Sequence, residues 1–208
     1  MTIAEMHILA DLLIDKADAE WFNPIEKDRF INLAINEYTK TKYAVFETNE
    51  KVREDLLTLV SSPYVVLADN TINLEVVPNF LFALRVEVDI DSDCGFKRGI
   101  PVTPMQQDDF SESQRDPFNR ATDSYPQYLQ FVETGNRIIR VYSDNTPDEI
   151  RLTYLNQPTA VDFGTGTDSN LPAHTHEEIV NLAVRKMLAT IESFEDYQVQ
   201  LNEINNQE

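Results

Sequence analysis

The chain has 208 residues, of which 36 are acidic and 17 basic, giving a formal net charge of −19 with 42% hydrophobic residues. That length suits one good-sized domain, or a domain carrying a smaller insertion, with enough apolar mass to fill a core. A surface this acidic repels phosphate backbones, which argues against sequence-specific nucleic-acid binding; simple solubility and a basic partner both remain open as its purpose.

Cys94 is the only cysteine, so an internal disulfide is impossible and folding in a reducing compartment is expected. The opening MTIAEMHILADLLIDKAD has no basic start, and acids interrupt its apolar positions. It reads as neither a signal peptide nor a membrane span, and a soluble chain is expected.

Thr2 followed by Glu5 predicts a capping box, in which hydroxyl and carboxylate each satisfy a backbone N–H. Ile3, Met6, Ala10, Leu13, Ile14 and Ala17 then recur at helical spacing. Trp21 and Phe22 fall in the connection, and Asn23-Pro24 supplies a cap and a first-turn proline. The second helix buries Phe30, Ile31, Ala34, Ile35, Tyr38 and Val45. A third carries Val52, Leu56, Leu59 and Val60 on one side and stops before Pro63, because the residue preceding proline avoids helical angles.

From Tyr64 the pattern changes to strands: Tyr64 to Leu67, Thr71 to Val76 and Phe80 to Ile90, with residues 91–99 closing the third. Asp108 to Tyr125 is polar and poor in apolar residues, and reads as a long exposed loop or an arm that orders on a partner. Tyr128 to Val132, Gly135-Asn136 and Ile138 to Tyr142 form a hairpin signal. Glu149 to Leu155 alternates again, and residues 164–170 read as a flexible connector. Thr175 with Glu178 predicts a second capping box, opening a helix with Val180, Ala183, Val184, Met187, Leu188, Ile191 and Phe194 on its apolar stripe.

Chemical motifs are scarce. Asp89, Asp91 and Asp93 alternate as in a calcium loop, but the sixth position is Cys94 rather than glycine and the twelfth is Ile100 rather than glutamate. His174 and His176 form an H-x-H pair without the further ligands a zinc site needs, and Val180 stands where a zinc-protease helix would place histidine. There is no G-x-S-x-G elbow and no phosphate-cradling glycine loop. No catalytic, cofactor-binding or metal-ligating residue is nominated, and neither a cofactor nor enzymatic activity is expected. The rival readings are a carbohydrate- or protein-binding module with Tyr125, Tyr128, Tyr142 and Tyr154 along a β surface, and a small hydrolase using acidic pairs or the H-x-H.

The segments IAEMHILADLLIDKADAEWFNPIEKDRFINLAINEYTKTKY, FETNEKVREDLLTLV and LPAHTHEEIVNLAVRKMLATIES resemble the head–tail connector proteins of short-tailed bacteriophages, most of all those of crAss-like phages infecting Bacteroidetes. The resemblance covers about the first sixty and last forty residues. It implies a virion protein at the head–tail junction, assembled in the host bacterial cytoplasm as a homo-oligomeric ring, commonly a dodecamer. Such a ring sits beneath the portal, extends the DNA channel without binding the genome specifically, and docks further tail proteins. It implies no catalytic residues, and it makes residues 195–208 a candidate arm against the portal. The fold expected is α+β: residues 1–62 and 171–208 form one helical bundle domain, and residues 63–170 an inserted, antiparallel β-rich domain with long loops.

Overall fold

Thr2 and Glu5 form the reciprocal cap their spacing predicts: the Glu5 N–H reaches Thr2 Oγ1 at 3.3 Å, and the Thr2 N–H donates to Glu5 Oε2 at 2.8 Å. They open α1, Ile3–Leu13. Asn23 and Glu26 build the same device for α2, Pro24–Tyr43, with Pro24 in the first turn. The computed structural model describes residues 1–14, 22–46, 48–67, 69–92 and 95–205, with side chains omitted at 92 and 192–205. Ala17, Trp21, Asp93, Cys94 and residues 206–208 therefore lie outside the described residues, as does the side chain of Phe194.

Two compact units are formed, one from residues 1–59 with 158–208 and one from residues 60–157. The first holds α1, α2, α3 (Glu50–Leu56) and a 3₁₀ turn, Leu57–Leu59. The second contains a short α4, Gln107–Ser113, and the chain returns to the first unit for α5, His176–Asn205.

In the helical unit α5 packs against both α1 and α2. Met6, Ala10, Ile31, Ala34, Ile35, Tyr38, Ile179, Val180, Ala183 and Met187 are buried, and each large one contributes about 1.5–3 kcal/mol. Val45 stays exposed, and Leu188 lies at the rim. The chain from Val161 to Asp168, which runs into the expected 164–170 connector, is tied to α1 and α2. Asn32 clamps Val161 through both its amide atoms (3.0 and 2.8 Å), Asp28 accepts from the Phe163 N–H, and Asp168 accepts from the Ile3 N–H.

The β unit contains β1 (Tyr64–Leu67), β2 (Thr71–Asn73), β3 (Phe80–Ser92), β4 (Gly95–Pro101), β5 (Thr103–Pro104), β6 (Gln127–Glu133), β7 (Asn136–Tyr142) and β8 (Glu149–Asn156). They make two four-stranded sheets, ordered β1-β8-β3-β4 and β2-β7-β6-β5. Val86, Val88, Ile90, Ile150 and Leu152 of the first sheet share one apolar core with Ile72, Ile139 and Val141 of the second. This sandwich-like body overturns the expectation of a helical bundle with β structure as an inset. The α+β content stands, but the strands carry a principal core of their own, built from pairings between distant segments such as β1 with β8. The β region is also not wholly antiparallel, since β5 runs parallel to β6.

Locally, the β6–β7 hairpin turns at Thr134 and Gly135, both with positive φ (50° and 87°), the geometry that matches strand twist in a two-residue loop. β4, expected as a closing turn, pairs with β3 through a bulge in which Arg98 and Gly99 stand opposite Asp89. Gly99 has φ of 63°, which suits glycine there.

Candidate functional site

The densest polar constellation in the helical unit centres on Asp55, near the end of α3 and 8% exposed. Its carboxylate accepts from the Tyr38 hydroxyl at 3.1 Å and from His174 Nε2 at 2.9 Å, and faces the Lys42 ammonium at 3.5 Å. Lys42 also pairs with Glu178 of α5 at 3.3 Å. One cluster thus ties α3 to α2 and to the start of α5. Burial works against the charge on Asp55, but the hydrogen bonds from His174 and Tyr38 and the Lys42 ammonium hold its carboxyl below the usual range. Burial pushes the Tyr38 phenol up, and the neighbouring Asp55 charge pushes it further.

A carboxylate-oriented histidine can serve as a base. The open depression beside His174 is lined by Glu177, Glu178, Asn181, Leu182 and Arg185, and none of these offers a hydroxyl or thiol for it to activate. Mechanically the cluster is a clasp.

His176 does not join His174. It is 3% exposed and turned inward, with Nε2 on the Leu171 carbonyl at 2.9 Å. Thr175 likewise donates back to the Pro172 carbonyl, and the pairing of Glu178 with Lys42 takes up the carboxylate expected in a second capping box. Of the alternating aspartates, Asp89 is buried against Arg151 and accepts from the Gly99 N–H at 2.7 Å. Asp91 is exposed, with its N–H donated to Asp148. Among the described residues no three His, Cys, Asp or Glu side chains converge as metal ligands would.

The four tyrosines do not share a surface. Tyr154 is buried, with its hydroxyl on the Pro78 carbonyl; Tyr128 packs against the core; Tyr142 meets Phe110 at 4.4 Å; and Tyr125 stands exposed. Tyr128 pairs with Val141 and Tyr142 with Gln127, so the two rings project from opposite faces of their hairpin.

Residues 108–125 hold α4 and a series of turns. Asp116 accepts from the Phe118 N–H, and buried Asp123 accepts twice from Asn145. This scaffold presents Phe118 almost wholly bare, at 93% exposure, with Tyr125 at 78%. Further large apolar side chains are uncovered at Ile8 and Leu12 on α1, Ile25 and Leu33 on α2, and Val65, Leu67 and Phe96 on the first sheet. The sequence hinted at none of these beyond flagging the 108–125 segment, because a residue's exposure depends on what the fold leaves unpacked.

These features define an α+β chain with a sandwich-like β body, a clasped helical unit and several bare apolar positions. No family model matches the chain, and no curated protein matches it.

Proposed function

We propose that this chain is a virion structural protein, a head–tail adaptor of a short-tailed bacteriophage. Copies of it close a ring beneath the portal, extend the DNA channel and offer a docking surface to further tail proteins. The observation that carries the reading is the set of large apolar side chains left bare, with Phe118 and Tyr125 foremost. A partner that covers side chains of this size gains most of the free energy that exposed apolar surface holds in reserve. The resemblance of the terminal segments names the partners as other copies of the chain, commonly twelve to a ring, together with the portal and tail proteins. The charge of −19 suits a conduit, since like charge lets DNA pass without condensed contacts. No catalytic step, metal or cofactor belongs to this role, which is exercised at the head–tail junction after assembly in the bacterial cytoplasm.

The test is mass measurement and negative-stain imaging of the purified chain mixed with the portal protein encoded beside it. A ring stacked on the portal is the expected result. Flanking reading frames without portal and capsid proteins, or a chain that stays monomeric beside that portal, would overturn the reading.

A further inference from the structure

Both edges of the first sheet are open among the described residues: β1 pairs only with β8, and β4 only with β3. The ladder shows which groups they leave free. Ser61 donates to the Tyr154 carbonyl, so the backbone groups of Tyr154, Leu152 and Ile150 turn toward β1, and Tyr64 and Val66 opposite them turn inward. Val65 and Leu67 therefore direct their N–H and C=O groups outward. At the other edge, Val102 donates to the Val86 carbonyl, so Val86, Val88 and Ile90 turn toward β4. Lys97 pairs with Ile90, which leaves Phe96 directing its backbone groups outward.

The side chains add a second match. Val86, Val88, Ile90, Ile150 and Leu152 fill the core, so the alternating positions face away from it. Val65 opposite Arg151, Leu67 opposite Glu149 and Phe96 opposite Asp91 all lie on that outer face. They are 46%, 69% and 49% exposed. Strand direction supplies a third. Every neighbouring pair in β1-β8-β3-β4 is antiparallel, so β1 and β4 run in opposite directions. A second copy added with the same face outward sets its β1 antiparallel to the first copy's β4, continuing the alternation. Val65 and Leu67 make the β1 edge apolar, whereas Lys97, Arg98, the bulge and Pro101 confine pairing at β4 to the stretch around Phe96.

We infer that the subunits join by β-addition, the β4 edge of one copy taking the β1 edge of the next. Val65 and Leu67 then lie beside Phe96 across the joint. The contact is heterologous, the kind that closes rings or extends filaments. This deepens the adaptor reading and rests on it. The Arg98–Gly99 bulge and Pro101 limit the joint to a short stretch of β4.

The experiment compares wild type with Val65→Pro, Val65→Lys and Phe96→Lys, each mixed with the portal protein and followed by mass measurement and amide hydrogen exchange. Proline at position 65 removes an outward N–H and leaves the β8 ladder intact; lysine there serves if the proline variant misfolds. The expected result is a ring whose residue 65, 67 and 96 amides gain protection, with self-association weakened at least about tenfold in each variant. A ring that persists in all variants with those amides unprotected overturns the joint and leaves the adaptor reading standing. A wild-type chain that forms no ring overturns both.

Discussion

Asp55 and His174 stand 119 residues apart in the sequence and meet through a 2.9 Å hydrogen bond from imidazole Nε2 to carboxylate. The bond fastens the short third helix to the start of the last one, and Tyr38 and Lys42 complete it from the second. Replacing Asp55 with alanine leaves the buried Tyr38 hydroxyl without its acceptor and removes one of the two carboxylates that face Lys42. A loss of about 2–3 kcal/mol is expected, read as a lower urea midpoint by far-UV ellipticity.

The same carboxylate sets an acid dependence. Its folded pKa lies below its unfolded value, so the unfolded state binds the proton more readily. The stabilisation is fully present above the unfolded value, about 4, and is lost as pH falls through the depressed folded value. Asp55→Asn is expected to flatten stability against pH in that window. An unchanged acid slope in the variant would count against the clasp.

Tyr38 behaves oppositely at the alkaline end. Its raised folded pKa favours the neutral phenol in the fold, a contribution present below the unfolded value of about 10 and lost as pH rises past it toward the folded value. Absorbance titration near 295 nm is expected to show one late phenol, absent in Tyr38→Phe.

Arg151 shields Asp89 on the outer face of the first sheet and also touches Glu149. Arg151→Met keeps much of the stem but strands a carboxylate that is 5% exposed, to which the Gly99 N–H still donates at 2.7 Å. A cost of about 2–4 kcal/mol is expected by urea denaturation. Converting Asp89 to asparagine in the same chain should recover part of it.

Gly135 isolates a backbone effect. A methyl group added there meets nothing within 4 Å, yet φ is +87°. Gly135→Ala is therefore expected to cost about 1 kcal/mol through conformation alone, measured as a lower thermal midpoint with the native fold retained.

Phe118 separates folding from assembly. At 93% exposure it contributes little to the monomer, so Phe118→Ser should change stability by less than about 0.5 kcal/mol. Ring formation on the portal is expected to weaken in the same variant. Unimpaired assembly would remove Phe118 from the interface.

Local devices were the legible part of this fold. Thr2 with Glu5 and Asn23 with Pro24 announce their helices because a cap acts within one turn. The β6–β7 hairpin is readable for the same reason, its partners being neighbours around Gly135. Pairings such as Tyr64 with Leu152 were not, since alternation marks a strand without naming its partner. β4 was masked by Lys97, Arg98 and two glycines, which read as a turn although they fill an edge strand and its bulge. Nothing around Asp89 in the sequence shows that it is buried, because its burial depends on Arg151, 62 residues away. Nothing local could show which apolar side chains would remain bare.

The last helix spans 30 residues, about 45 Å of continuous hydrogen-bonded rod, against 20 residues in the second helix beside it. Because α5 packs against α1 and α2, its buried residues complete a core that residues 3–43 only begin. That core cannot close until residues 60–157 have already been made, so the order of synthesis places the β body ahead of the finished helical unit.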